Sequence, residues 1–372
     1  MNICYISNSA APSKNASSLQ IAKLCEGLSK FGHQVTLIKP NTGKSLNYYN
    51  FYNIRKKYKI IVIKYFNKFP RGINYYLYSI VSLLISNFNK YDIYITRNFF
   101  ISIILSIVAK KHLLEIHDDI LIEGRIVQFL IRRLKFLNNK NLLKIITTTH
   151  TLKKRYVDYC KVKKEKIYVL HNASSLKPIF KKYKTKPKNI NIGYFGSIYK
   201  SRGIEMIIKL SKIDQKNKYF IYGGTNIEIN ELKKKFKNKN LFFKSYVPYS
   251  KISNELKKID LCILPYKSKI TVAGNVGDIS NYTSPLKIFD YMINGKLIVC
   301  SNLKVIREVL NNNKNSILIK NFESEKQWLL KVKLISKNFL KYSDIRLKAF
   351  NYAKKHNIDW RVKKLISFIN TN

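Results

Sequence analysis

A chain of 372 residues is long enough for two domains, each with its own core. Hydrophobic residues make up 46% of it and aromatics 13%, which excludes a disordered or fibrous protein. The net charge of +49 fits nucleic-acid binding, attachment to anionic lipid or codon bias; only 11 of the 70 basic residues are arginine, the cation that reads guanine, so codon bias is favoured for much of the charge.

The opening residues, 2–7, read as a strand and lack the basic end and cleavage site of a signal peptide. A helix is expected over 18–31 and a second strand over 34–38. Strand patterns follow at 58–65, 93–96, 112–116, 145–148 and 167–170, with helical patterns between them. The longest apolar stretches, 75–85 and 99–109, fall short of the ~20 residues a membrane-spanning helix needs. Residues 177–188 carry Pro178 and Pro187 among many lysines and read as a linker. The alternation restarts with strands at 190–195, 219–222, 241–244, 261–264, 297–300 and 316–319. Short apolar strands alternating with helices predict parallel sheets in two α/β domains, 1–176 and 190–372, joined by a linker at 177–189 and ending in a C-terminal helix. Lysine-rich residues 233–239 read as a solvated helix face. Cys4, Cys25, Cys160, Cys262 and Cys300 are odd in number and far apart, so neither a disulfide frame nor a zinc site is expected, and a reducing cytoplasm fits.

Four segments carry possible chemistry. The loop 7–18 is rich in small polar residues, among them Ser13 and Asn15. His117 ends a strand, where open α/β sheets place ligands, and a neutral imidazole there could bond a sugar; a structural histidine held by Asp118 or Asp119 fits equally well. His33, His112, His150 and His356 read as structural or surface residues. In the third segment a strand ends at Gly196-Ser197, and Lys200, Arg202 and Gly203 precede the next helix. A glycine there lets backbone approach a phosphate, though a routine turn would look the same.

In the fourth segment, Ser284 suits an N-cap and Pro285 the first helical position, after a loop with Gly274 and Gly277. The free N–H groups of such a helix start, through Leu286, suit a diphosphate. Asp290, about one and a half turns on, could accept hydrogen bonds from a ribose diol. An ordinary capped helix with an exposed acid is the plain alternative.

The run Ser284-Pro285-Leu286-Lys287-Ile288-Phe289-Asp290-Tyr291-Met292, continuing through Asn294-Gly295 to Ser301, resembles the donor-site signature of family 4 glycosyltransferases. That signature has two glutamates separated by seven residues. Asp290 falls on the second, the ribose ligand, and Tyr282 replaces the first, which lies near the donor sugar. Residues 192–205 are similar to the family's first C-domain loop, which carries two diphosphate-binding cations. Arg202 matches one of them; Ser197 replaces the other, leaving Lys200 or Lys287 to supply its charge.

The resemblance implies a GT-B fold, two Rossmann-like domains with parallel sheets facing across a cleft. It further implies a retaining, metal-independent enzyme with no cofactor, whose substrate is a nucleotide-sugar. The implied donor-binding residues are Gly196, Ser197, Gly203, Ser284, Pro285, Leu286 and Asp290. His117, Arg202 and Lys287 are the implied catalytic residues, and Ser13 and Asn15 lie in the loop that faces the acceptor. The expected acceptor is a glycan or lipid-linked sugar in bacterial surface polysaccharide or lipopolysaccharide assembly. It would be met by a cytoplasmic enzyme lying peripherally on the anionic inner face of the membrane, through a basic apolar stretch at 124–144. No Asp-x-Asp triplet occurs, which argues against the metal-dependent GT-A enzymes. Two rivals stand beside this reading. A non-hydrolysing nucleotide-sugar epimerase would want an acid–base cluster that the sequence lacks. For a nucleic-acid-binding protein the charge is too diffuse and no binding motif is present, so no nucleic-acid partner is expected.

Overall fold

A computed structural model of the chain describes residues 1–41, 46–64, 71–271 and 278–370. The chain forms two compact units, Met1–His171 with Ile358–Asn372, and Asn172–Asn357.

The first unit holds a seven-stranded sheet: β1 (Asn2–Ile6), β2 (Gln34–Pro40), β3 (Lys59–Ile63), β4 (Ile93–Thr96), β5 (His112–Ile116), β6 (Leu142–Thr147) and β7 (Ile167–Val169). All pairings are parallel, in the order β3-β2-β1-β4-β5-β6-β7. Every residue of β4 and β5 is buried, as expected where helices cover both faces of a parallel sheet. Alternate residues of β1 feed opposite layers: Ile3 and Tyr5 pack with Leu24 and Leu28, and Cys4 and Ile6 with Tyr78 and Ile101. The strand order reverses between β1 and β4, and ligands of open sheets bind at such switch points, beyond the carboxyl ends of the strands.

The second unit repeats the plan with β8 (Asn191–Phe195), β9 (Lys218–Tyr222), β10 (Leu241–Lys244), β11 (Leu261–Leu264), β12 (Leu297–Ser301) and β13 (Ile317–Ile319). The order is β10-β9-β8-β11-β12-β13, so its switch point lies between β8 and β11.

Several expectations change in detail. The strand expected at 145–148 runs from Leu142 to Thr147, and the one expected at 58–65 is Lys59–Ile63, with Tyr65 outside the described residues. The expected linker 177–189 belongs to the second unit. It packs down because Phe180 and Tyr183 lie at 5.1 and 4.6 Å from the buried Arg346 guanidinium, which donates to the Lys181 carbonyl. The terminal helix Ile358–Asn370, expected in the second domain, belongs to the first unit. Val362 lies so close to Gly27 that a β-carbon there would approach it to 2.6 Å, and Arg361 pairs with Glu115 at 2.6 Å. Neighbours in sequence do not reveal such a return.

All five cysteines are buried and unpaired. Lys233, Lys234 and Lys235 are exposed, as a solvated helix face requires. No helix among the described residues is long and apolar enough to cross a membrane.

Candidate active site

At the switch point of the second sheet, β8 is followed by Gly196, whose φ of +143° is open to glycine. A β-carbon there would lie 2.1 Å from Lys287 Nζ, so the glycine leaves room for that ammonium. Gly203, at φ +73°, lets the chain pass the Pro265 carbonyl, which a β-carbon would meet at 1.7 Å.

Lys287 lies in the first turn of the helix Leu286–Ile293. Its Nζ donates to the Tyr194 hydroxyl at 3.1 Å and stands 4.4 Å from the Tyr194 ring and 5.6 Å from the Tyr266 ring. Tyr194 is fixed in turn by donating to the Ser197 carbonyl at 2.7 Å. The Arg202 guanidinium lies 5.4 Å from the same Tyr266 ring; it donates to the Thr271 carbonyl at 3.3 Å, and its Nε is buried without a partner among the described residues. Neither cation has a carboxylate partner among the described residues. Burial first, and the Arg202 charge second, hold the Lys287 pKa well below the usual lysine range. Two neighbouring basic side chains without an acid beside them are electrostatically suited to an anion. Lys200, the other candidate for the second cation, is exposed.

Ser284 does not cap the helix. Pro285, extended at ψ 118°, is the N-cap, and the Ser284 hydroxyl is buried without a partner among the described residues. Proline has no side-chain oxygen to accept from the first-turn N–H groups, and the expected first helical position lies one residue later, at Leu286. The Ser284 carbonyl instead accepts from Asn172 Nδ2. The N–H groups of the first turn still face outward from the helix start. Gly274 and Gly277 lie outside the described residues.

Asp290 is buried rather than exposed. Its Oδ1 accepts from Ser174 Oγ at 2.5 Å and from the Tyr249 hydroxyl at 3.0 Å, which leaves Oδ2 without a partner among the described residues. Burial pushes its pKa up to about 7, against the pull of those two hydrogen bonds. Tyr282, in the place of the family's first glutamate, is also buried.

In the first unit, Glu115 is the hub at the ends of β4 and β5. It accepts from Tyr5 at 2.8 Å, from Arg97 at 3.1 Å and from Arg361 at 2.6 Å. Burial would raise its pKa, but the two guanidiniums more than reverse this, to about 2. His117, just beyond β5, is not held by Asp118 or Asp119: Asp119 pairs with Arg155 at 2.9 Å. Its Nε2 is enclosed without a partner among the described residues, and burial, followed by the Arg97 charge, keeps its pKa well below the histidine range. The imidazole is therefore neutral, able to donate or accept a single bond to a hydroxyl. His112, by contrast, is structural, bonded to Ser102 and the Lys110 carbonyl. Ser13 donates its N–H to the hydroxyl of Tyr52, in the helix Tyr48–Tyr52, and its hydroxyl pairs with that of Ser18, and Asn15 is an exposed N-cap residue with no side-chain cap bond.

The structure thus brings Gly196, Ser197, Arg202, Gly203 and Lys287 to one switch point, with Asp290 one turn along the same helix. Tyr194, Tyr266, Ser174 and Tyr249 do not stand out in the sequence, because their partners lie far away along the chain. Gly223 does carry a signal: a Gly-Gly pair follows a strand, and a β-carbon at Gly223 would meet the Gly196 carbonyl at 1.8 Å.

The chain matches the family model described as "Glycosyl transferases group 1" over residues 177–356 and that of "Glycosyltransferase Family 4" over 18–176. No curated protein sequence matches it. Its fold is similar to that of Anabaena Alr3699/HepE, crystallised in complex with UDP and glucose (TM-score 0.71, 12% identity, 100% of each chain covered). It is also similar to sucrose-phosphate synthase from Thermosynechococcus elongatus (TM-score 0.77, 11% identity, 100% of this chain and 98% of that one). A third likeness is to the apo form of the lipopolysaccharide outer core galactosyltransferase WaaB (TM-score 0.69, 11% identity, 100% and 99% covered).

Proposed function

Because this chain belongs to the family 4 glycosyltransferases and has the GT-B fold, we propose that it transfers a sugar from a UDP-sugar to a lipid-linked or glycan acceptor. The observation that carries this reading is the Lys287–Arg202 pair beneath Gly196, two cations with no carboxylate partner among the described residues. A leaving nucleoside diphosphate gains negative charge as the glycosidic bond breaks, and fixed cations in a partly dry site stabilise that charge. The pair supplies the neutralisation that a divalent ion gives in metal-dependent enzymes. Asp290 Oδ2 takes the ribose hydroxyls, and the helix start at Leu286 receives phosphate oxygens. His117 bonds a hydroxyl of the transferring sugar, and the loop with Ser13 and Asn15 meets the acceptor. Transfer retains anomeric configuration, the departing phosphate guiding the incoming hydroxyl. The UDP and glucose bound by the Anabaena protein, and the lipopolysaccharide role of WaaB, support a UDP-sugar donor and a surface-glycan pathway.

Incubation with a panel of nucleotide-sugars should release UDP from one of them, at a rate unchanged by EDTA. Release of no nucleoside diphosphate from any donor contradicts the reading. A rate that collapses with chelator and returns with Mg²⁺ contradicts its metal independence.

The acceptor is proposed to be met at an anionic membrane surface. The helix Arg125–Arg133 buries only Val127 and Ile131. Ile126 and Phe129 are more than half exposed, as are Leu121, Ile122 and Leu134 around it, a face that core packing does not explain. Arg125, Arg133 and Lys135 flank that face, while Arg132 is stacked on Tyr159 at 4.3 Å. Apolar side chains among cations suit a lipid interface, each cation near anionic lipid contributing about 1 kcal/mol. The protein should float with phosphatidylglycerol liposomes, stay behind with neutral ones and release as salt rises. Replacing Ile126 and Phe129 with serine should weaken flotation more than replacing Lys233, Lys234 and Lys235 with glutamine. Equal flotation of both variants would contradict docking through this helix.

A further inference from the structure

The Glu115 cluster is not electrically or geometrically complete. One carboxylate serves two guanidiniums, Arg97 at 3.1 Å and Arg361 at 2.6 Å, so the buried group carries a surplus positive charge. The two arginines differ in what else they hold. Arg361 completes its contacts by donating from Nη1 to the Leu170 carbonyl at 3.3 Å. Arg97 has a side chain only 9% exposed, yet its Nη1 is enclosed with no hydrogen-bond partner among the described residues. Asp118, three residues beyond Glu115, makes no ion pair with Arg97 among the described residues, although the guanidinium's charge reaches its carboxylate and works against the rise in its pKa. A second unpartnered polar atom, Nε2 of His117, lies just beyond the end of the neighbouring strand. The two residues stand beyond the carboxyl ends of β4 and β5, and β4 borders the switch point of the first sheet.

A guanidinium edge left open in a site with surplus positive charge is matched by a planar or tetrahedral oxyanion, which takes its N–H groups and offsets the charge. A neutral sugar hydroxyl would satisfy one N–H and leave the charge uncompensated. We propose that Arg97 forms an anion subsite in the first unit, which reads a carboxylate or phosphate group carried by the acceptor. The assignment to the acceptor rests on the reading that the second unit holds the donor diphosphate. Arg97 is thus a specificity residue, and His117 beside it remains available to a sugar hydroxyl.

The test uses the full chain labelled with ring-15N histidine and saturated with UDP, which fills the phosphate site of the second unit. Titration with inorganic phosphate should shift the His117 ring signals saturably, while methyl glucoside at the same concentrations leaves them in place. Arg97→Gln should weaken the phosphate response at least tenfold, with Arg97→Lys in between. Glu115 keeps Arg361 and Tyr5 in both variants, and a thermal melt checks that each is folded. No His117 response to phosphate, or equal affinity in folded Arg97→Gln, overturns the subsite. A comparison of donors decides whose anion is read. Selective loss of UDP-glucuronate affinity over UDP-glucose in Arg97→Gln would place the anion on the donor and overturn the acceptor assignment. Failure of UDP itself to bind would strike the donor reading alone, and the response of His117 to phosphate would still decide the subsite.

Discussion

Replacing Lys287 with methionine should lower the turnover number by about a hundred- to a thousandfold, the usual effect of removing one preorganised donor from a developing oxyanion. Methionine keeps a flexible apolar stem to lie against Tyr194 and Tyr266, so the packing beneath Gly196 survives while the charge is lost. The loss should fall on turnover more than on ground-state donor affinity, because the charge on the diphosphate grows only as the sugar departs. The fold should not weaken, since an ammonium held in a buried site without a carboxylate is itself a cost to the empty enzyme. Arg202→Ala should behave alike, and the double variant should lose less than the product of the two single losses, because both cations act on one leaving group. Lys200→Met is the control. A large loss there, with Lys287→Met unaffected, would move the role to the exposed lysine.

Asp290→Asn should weaken donor binding and, above neutral pH, stabilise the empty protein. Asparagine Oδ1 can still accept from Ser174 and Tyr249, so the two hydrogen bonds persist and only the buried charge is lost. In the wild type the folded-state pKa is raised, from 3.8 to about 7. The protonated form therefore favours folding; its contribution is complete below about pH 4 and is lost as pH rises through 7. At pH 8 and above the ionised carboxylate costs at most about 4 kcal/mol, the free energy that corresponds to carrying the pKa from 3.8 to about 7. The variant should thus melt several degrees higher than wild type at pH 8, with no such gain at pH 4. Donor affinity should move the other way. Hydrogen bonds to a charged acceptor contribute ~1.5–3 kcal/mol, so UDP-glucose should bind at least tenfold more weakly to Asp290→Asn. In the wild type that affinity should fall as pH drops below about 7, where the carboxylate is protonated, and in the variant it should be flat. A diphosphate ester such as UDP-glucose does not titrate in that range, so the change belongs to the protein. Wild-type affinity that is independent of pH, measured by calorimetry between pH 6 and 8, contradicts the ribose assignment.

The parallel sheets are legible because buried strands write their apolar runs directly into the sequence, as in 93–96 and 112–116. The helix carrying Asp290 is legible too, from Pro285 at its start and Asn294-Gly295 at its end. What the sequence hides is non-local. The choice of Lys287 over Lys200 depends on Tyr194 and Tyr266, which reach the ammonium from two other strands' ends. The burial of Asp290 depends on Ser174 and Tyr249, and a run of residues around position 290 cannot show that its carboxylate is half occupied by the protein itself. Ser284 reads as a cap because a Ser-Pro pair fits two registers, and only the backbone angle of Pro285 separates them. The terminal helix reads as part of the second unit for a related reason: Val362 on Gly27 and Arg361 on Glu115 are contacts over hundreds of residues.

Donor binding by the second unit is proposed to run through Lys287, Arg202 and Asp290 without a metal bridge. A crystal structure of the enzyme with UDP, grown in EDTA, tests it most directly. Diphosphate oxygens should lie within hydrogen-bond distance of Lys287 Nζ and the Arg202 guanidinium, close against Gly196, with the ribose hydroxyls on Asp290 Oδ2. UDP bound elsewhere, or bound at this site with both cations turned away from its phosphates, would contradict it.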